Sequence, residues 1–116
     1  MSKKTLENLR LLQNFLTRER WTQKTYARDS LGREISTKYA NENCKFCLVG
    51  AIRYLFDKPH ERDDVELALK MAINQEPEPE KRYSLENYND RAFRFNDVGY
   101  IMAQAIRMEE KCLQES

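Results

Sequence analysis

Several signatures of catalysis are missing from this sequence. Its 116 residues contain no glycine-rich phosphate loop, no Ser/His/Asp arrangement and no closely spaced pair of carboxylates suited to a metal ion. Glycine occurs only three times, and His60 is the single histidine. The sequence therefore favours a non-catalytic protein without a cofactor, and it leaves one alternative based on a cysteine thiol open.

Long apolar runs are missing as well. No stretch approaches the roughly 18 to 20 apolar residues that a membrane span requires. Residues 1–4 precede an amphipathic segment and not the apolar block of a signal peptide. We therefore expect a soluble cytoplasmic protein that does not contact a membrane. A hydrophobic content of 41% suffices for one modest core, so residues 1–116 are expected to form a single compact domain.

Neither sign of charge is in excess overall. Twenty Lys and Arg side chains oppose nineteen Asp and Glu side chains, which leaves a net charge of +1. Residues 1–40 carry nine basic and four acidic side chains, whereas residues 41–80 carry five basic and nine acidic ones. A global field that draws the protein to nucleic acid is not indicated, although the first third leaves room for a local basic face.

The spacing of apolar residues predicts a mainly α-helical fold. A first helix, capped by Thr5 and ending near Arg20, has one apolar face that consists of Leu6, Leu9, Leu12, Phe15 and Leu16. Residues 46–56 are apolar on every side of a helical wheel, which is expected of a buried helix. This central helix is predicted to begin after Asn41 or Asn43 and to end before Pro59.

Two further helices are predicted after the central one, which gives about four in total. Asp63 or Asp64 is expected to cap the third helix, and Asn96 the last. The acidic, proline-containing segment 76–80 is predicted to be an exposed loop. Between the first and central helices, threonine and aromatic residues followed by the turn sequence 29–32 predict a small β-hairpin.

The three cysteines are expected to be free thiols in a cytoplasmic protein. Cys44 and Cys47 form a C-x2-C pair, which with His60 and Cys112 is a candidate zinc site, although no second pair exists. Cys47 near a helix N-terminus is also a candidate nucleophile. His60 follows the same helix about ten residues later, roughly 15 Å away, which disfavours a Cys–His pair. The favoured interpretation makes Cys47 a small buried hydrophobe.

Cations and aromatic rings alternate in residues 18–33. The candidate nucleic-acid ligands there are Arg18, Arg20, Lys24, Arg28 and Arg33, interleaved with Trp21 and Tyr26. Such a pattern is typical of surfaces that bind single strands, because phosphates attract cations and bases stack on rings. Alternatively, the two aromatic residues anchor the core and the charges form a solvated rim. No signature of a known nucleic-acid-binding motif accompanies the segment.

Three short islands resemble the motifs of a known family. They are Trp21-Thr22-Gln23 to Gly32, Phe46-Cys47 to Ile52, and Asn89-Asp90. In order and spacing they resemble a family of small uncharacterised proteins from bacteria and bacteriophages, with the usual pattern W-x-Q-G-x-x-A-x-D-x-x-G, then W-C-x-x-G-A and W-N-D. This sequence has Lys24 in place of glycine, Phe46 in place of tryptophan, and Tyr88 or Asn89 near the expected third tryptophan.

The resemblance implies candidate positions and a phage or mobile-element origin, but no reaction. The ligand or partner candidates are Trp21, Tyr26, Asp29, Asn89 and Asp90, accompanied by Cys47 and Gly50. Asp29 and Asp90 either contact a ligand or stabilise turns through local hydrogen bonds, and the second role is favoured. Gly50 and Ala51 leave a notch in the central helix, which we expect to receive another helix or the Trp21 ring.

These observations favour a small intracellular binding or regulatory protein that acts through contacts with a protein partner. A phage origin would make it an inhibitor or modulator of a host system. One alternative is a nucleic-acid-binding module that uses residues 18–33. A second alternative is a thiol enzyme or zinc protein centred on Cys47.

Overall fold

The computed structural model describes residues 3–74, 84–92 and 94–115. It has a mainly α-helical fold with a small two-stranded antiparallel sheet after the first helix, as predicted. The elements in chain order are α1 (Lys3–Phe15), β1 (Ala27–Arg28), β2 (Lys45–Phe46), α2 (Leu48–Leu55), α3 (Pro59–Asn74), α4 (Leu85–Arg91) and α5 (Phe95–Glu115). The predicted loop 76–80 lies outside the described residues.

Three amphipathic helices form the larger part of the core. α1 packs on both α3 and α5, which also pack on each other. The buried side chains that meet there include Leu9 and Leu12 of α1, Val65 and Leu69 of α3, and Val98, Ile101 and Met102 of α5. Leu9 and Leu12 belong to the apolar face predicted for the first helix, so helical periodicity locates this part of the core correctly.

The central helix α2 is buried as predicted, but it is shorter and begins later. Its first five residues, 48–52, are all buried, and it contacts α1, α3 and α4. Neither Asn41 nor Asn43 caps it. Cys47 is the N-cap residue, because residues 45–46 pair with β1 and remain extended. The predicted start at Asn41 or Asn43 is therefore wrong by several residues.

The small sheet pairs β1 with β2, and Ala27 lies opposite Phe46. The turn at 29–32 forms as predicted, with a hydrogen bond of 3.0 Å from Gly32 N to Asp29 O, but residues beyond it contribute only an isolated bridge at Glu34. Ala27 and Phe46 are both fully buried, whereas Glu34 is exposed. The favourable partner of β1 is thus the strand that brings an apolar side chain to the core.

Three predicted helix caps are wrong. α1 begins at Lys3, so Thr5 lies inside it, and it ends at Phe15 before a single 3-10 turn. α3 begins at Pro59, which suits a first helical position because its missing N–H would have no partner there. Asp63, Asp64 and Asn96 consequently lie within helices.

Glu109 is an unexpected charged residue in the core. It lies on α5 with 1% of its surface exposed, and among the described residues its Oε1 has no hydrogen-bond partner. Burial raises the pKa of this carboxyl above its usual value, and the nearby Asp64 carboxylate raises it further. An ionised Glu109 therefore destabilises the folded state.

We predict that Glu109→Gln increases the free energy of unfolding at neutral pH by about 1 kcal/mol. The folded-state pKa is raised, so the penalty is present above that pKa and disappears as the pH falls through it towards the unfolded-state value. The gain should consequently shrink at acidic pH. Urea denaturation at several pH values measures it, with the exposed Glu115→Gln as the control. An equal gain in the control, or a gain that is independent of pH, would contradict the assignment.

Candidate binding site

Asn89 of α4 is fully buried, and its side chain joins three parts of the chain. Its Oδ1 accepts hydrogen bonds from Trp21 Nε1 at 2.7 Å and from the backbone N of Leu48 at 3.0 Å. Its Nδ2 donates to the carbonyl of Thr22 at 3.0 Å and to Asp90 Oδ1 at 3.3 Å. A primary amide suits this place, since it offers two acceptor sites and two donors. Asn89, Trp21, Thr22 and Leu48 are called the Asn89 clasp below.

The clasp satisfies backbone groups that would otherwise have no partner. Leu48 N belongs to the first turn of α2, where amide groups lack carbonyls within the helix. Asn89 therefore caps α2 from a different helix. Cys47 completes the cap, because its Sγ accepts a hydrogen bond from Gly50 N at 3.2 Å. Two side chains that are distant from each other in sequence thus cap the N-terminus of the central helix.

Gln23 and Asp90 attach the segment after Trp21 to α4. Gln23 Nε2 donates to the carbonyls of Asn89 and Ala92, at 2.9 Å each. Asp90 Oδ1 accepts from the backbone N of Lys24 at 2.7 Å. Lys24 has a φ of 70°, in the left-handed region that favours glycine, and it occupies the position where the motif pattern has glycine.

Gly50 allows two backbones to approach closely. A Cβ placed on it would lie 1.9 Å from the carbonyl oxygen of Tyr26. The same carbonyl accepts a hydrogen bond from Cys47 N at 3.2 Å. The notch at Gly50 therefore receives the backbone that leads into β1, and the expectation of a helix or the Trp21 ring there is wrong.

The Cys47 thiol lies in surroundings that oppose ionisation. It is 3% exposed, and burial raises its pKa above the usual value. Hydrogen bonds from the amides of Gly50 and Val49 act in the opposite direction, but the carboxylates of Asp90 and Glu86 raise the pKa further. The thiol is therefore protonated near neutral pH, whereas a nucleophilic cysteine requires the thiolate.

A cleft of about 240 Å³ opens beside the clasp. Its lining residues are Lys24, Thr25, Tyr26, Cys47, Glu86 and Asp90. The Tyr26 hydroxyl donates to Glu86 Oε2 at 3.3 Å, and the Arg53 guanidinium lies 4.3 Å from the centre of the Tyr26 ring. We call this the α4 cleft. Three separate sequence islands contribute to it, so the fold brings together the candidate residues Tyr26, Cys47 and Asp90.

Comparison with known proteins assigns the chain to a family without assigning an activity. A model of a family of unknown function, DUF6197, matches residues 1–108. The chain belongs to the DUF6197 family. The expected membership of an uncharacterised family is thereby confirmed. No curated protein and no solved structure matches this DUF6197 protein. Within the residues that the structure describes, no helix has the length and apolar character to cross a bilayer.

Asp29 does not join the other candidates of this DUF6197 protein. Its Oδ1 accepts hydrogen bonds from the backbone N of Leu31 and of Arg33, and its Oδ2 pairs with Arg33 Nε, each at 2.9 Å. The hydrogen bond from the Arg33 backbone is the main reason why the pKa of Asp29 lies below its usual value. Asp29 therefore closes the turn before Arg33.

Arg28 is bound along its whole guanidinium group. Nε donates to Thr22 Oγ1 at 3.1 Å, Nη1 to the carbonyl of Gly32 at 3.1 Å, and Nη2 to the carbonyl of Gln23 at 3.4 Å. These contacts hold the two ends of the 22–32 excursion together. Arg28 thus occupies a structural position in the proposed nucleic-acid segment.

The remaining cations of residues 18–33 point to different places. Arg18 Nη2 donates to Asn96 Oδ1 at 3.1 Å, and the Arg20 guanidinium lies 4.7 Å from the centre of the Phe15 ring. Lys24 is the only one of the five cations that lines the α4 cleft. The fold therefore disperses the basic residues that are close together in the sequence.

The four candidate zinc ligands are not brought together. Cys44 is buried and accepts from Asn41 N at 3.4 Å, while Cys112 is exposed on α5 and His60 is exposed at the start of α3. In the part of the chain that the structure describes, no group of three or more His, Cys, Asp or Glu side chains has the arrangement to hold a metal ion. The C-x2-C spacing instead reflects the extended residues before α2.

The sequence analysis did not name Gln23 or Glu86 as site residues, and it did not predict the left-handed backbone conformation of Lys24. The signal for Glu86 was present, since a serine at position 84 followed by an acidic residue two positions later is typical of a helix start, and Ser84 Oγ does accept from Asn87 N at 3.1 Å. Gln23 lies in the W-x-Q part of the motif pattern, but its role was not predictable because its partners lie more than sixty residues away in sequence.

We predict that Asn89→Ala lowers the free energy of unfolding by about 3 kcal/mol or more, because Trp21 Nε1, Leu48 N and the Thr22 carbonyl all lose a partner. Urea denaturation measures the change. Asn87→Ala is the matched control, since this exposed asparagine lies on the same helix. Similar losses in both variants would show that the clasp is not the reason.

The two helical glycines give a second test of the packing. Gly50→Ala should destabilise the fold by about 1–3 kcal/mol or more, because the new methyl group collides with the Tyr26 carbonyl. Gly99→Ala on α5 should instead stabilise it by about 1 kcal/mol, since the new Cβ meets only Phe95 Cε2 at 3.7 Å. Thermal denaturation followed by circular dichroism compares the two. Tolerance of alanine at position 50 would contradict the close approach.

Proposed function

We propose that this DUF6197 protein is a small non-catalytic binding protein that recognises a protein partner through the α4 cleft. A regulatory role follows from this proposal, and a phage or mobile-element origin would make it a modulator of a host system. The proposal places the function in contacts at one preformed surface. It requires neither a cofactor nor a reactive thiol.

One observation carries the proposal. The motif residues Trp21 and Asn89 bind each other inside the fold, whereas the cleft beside them presents an exposed aromatic and an exposed acidic side chain. Trp21 and Asn89 bind each other, and Cys47 caps its own helix with a protonated thiol. Tyr26 and Glu86, in contrast, are exposed at the cleft. A fixed cleft with an accessible aromatic ring is a suitable receptor, because a preorganised surface loses little entropy on binding.

The charges of the cleft indicate the chemistry of the partner. Its lining contains two carboxylates, Glu86 and Asp90, against one ammonium group, Lys24. A third carboxyl group, Glu66, lies nearby. Burial raises its pKa, and the charge of Glu86 raises it further. An acidic cleft favours a lysine or arginine side chain of the partner.

We predict that Glu86→Lys abolishes or strongly reduces partner capture while the fold is retained. Tagged wild-type and variant proteins are compared by quantitative proteomics on a lysate of the organism that carries the gene. Glu7→Lys, an equal charge change at an exposed position of α1, is the control and should retain the partner. Capture of no specific protein, or equal capture by wild type and Glu86→Lys, would overturn the proposal.

A further inference from the structure

A second cleft, of about 400 Å³, lies between the 3-10 turn Thr37–Tyr39 and the end of α2. Residues that line it include Thr37, Lys38, Arg53, Tyr54, Asp57 and Arg62. It contains three cations and one carboxylate, and we call it the basic cleft. None of its cations belongs to the segment 18–33. The fold thus assembles a basic surface from three places that are separate in the sequence.

The three cations of the basic cleft outnumber its one carboxylate, Asp57. Arg62 donates from Nε to the carbonyl of Phe56 and from Nη2 to the carbonyl of Arg53 at 3.0 Å. These partners are neutral, so they orient the guanidinium and leave its charge in place. In the regions that the structure describes, neither Arg62 nor Lys38 nor Arg53 lies within 4.0 Å of a carboxylate oxygen. A cluster of cations that exceeds its carboxylates and forms no salt bridge favours an anionic ligand.

An exposed aromatic ring adjoins one of these cations, Lys38. Tyr39 has 75% of its surface exposed, and Lys38 Nζ lies 5.8 Å from the centre of its ring. The turn that carries both residues is held by a side-chain cap, in which Ser36 Oγ accepts from Lys38 N at 3.2 Å. A flat ring on an ordered turn, next to cations, offers a stacking surface beside an anion site.

We propose that the basic cleft and Tyr39 bind single-stranded nucleic acid, with phosphates against Lys38, Arg53 and Arg62 and a base stacked on Tyr39. Cations that track a backbone and a ring that accepts any base are the two parts of such a site. The proposal does not depend on the α4 cleft or on a protein partner. It moves the basic and aromatic surface from residues 18–33 to residues that the sequence did not single out.

The mixed charge of the protein sets the expected behaviour. With a net charge of +1, binding depends on the local cations and should be measurable at low salt and weaken as salt rises. Stacking on one tyrosine tolerates every base, so little sequence preference is expected. An acidic protein segment would also be attracted by the three cations, but it would gain nothing comparable from the Tyr39 ring.

The test is fluorescence anisotropy with a labelled oligothymidylate over a range of salt concentrations. Tyr39→Ala should weaken binding at least about fivefold. Lys38→Glu should weaken it as well and should reduce the slope of log affinity against log salt by about one unit. Both residues are exposed, so the variants are expected to fold, which circular dichroism verifies.

Arg18→Glu is the matched control, because it makes the same charge change at an exposed position within residues 18–33 that lines neither cleft. It should leave the affinity unchanged. The proposal is overturned if the wild type does not bind at low salt, if Arg18→Glu weakens binding as much as Lys38→Glu, or if Tyr39→Ala binds normally. Competition by a polyglutamate peptide that is as effective as an unlabelled oligonucleotide would also overturn it, in favour of a protein ligand.

Discussion

The carboxamide of Asn89 is the point at which three distant parts of the chain meet. Trp21 Nε1 and Leu48 N are donors only, so they fix the oxygen on their side of the amide and leave the nitrogen for the Thr22 carbonyl. A carboxylate in its place would lose the donors and bury a charge. The start of α2 and the path of residues 21–24 both depend on this neutral group. Cys47 at the start of α2 and Lys24 on that path both line the α4 cleft.

The close approach of Tyr26 to Gly50 explains why a buried helix contains a glycine and why Cys47 is buried at its start. The Tyr26 carbonyl lies against the helix where a Cβ would be, and it also accepts from Cys47 N. Cys47 is thereby held at the cap position, buried and beside the Asp90 carboxylate. The same geometry that caps the start of the helix buries the thiol and raises its pKa, so a cysteine at a helix N-terminus does not by itself indicate catalysis.

Local patterns predicted the helices of this protein better than its joints. The apolar stripes of α1 and α5 and the buried character of α2 follow from side-chain spacing alone, and all three are present. The caps were misplaced because the pairing of β1 with β2 and the start of α3 at Pro59 override local capping preferences. The partners of Asn89 within the clasp are 41 to 68 residues away in sequence, a distance at which no short-range pattern carries information. The motif islands indicated that these residues matter, but not how.

Arg53 stands between two clefts of opposite charge. Its guanidinium lies over Tyr26, whose ring borders the acidic α4 cleft, and it also lines the basic cleft. The near-neutral total charge therefore conceals a separation of charge on the surface. If a bound phosphate draws Arg53 away from Tyr26, the wall of the α4 cleft changes, and a cationic side chain in that cleft would in turn repel Arg53 towards the phosphate. The two proposed ligands should then alter each other's affinity by the same factor, because thermodynamic coupling between two sites is reciprocal.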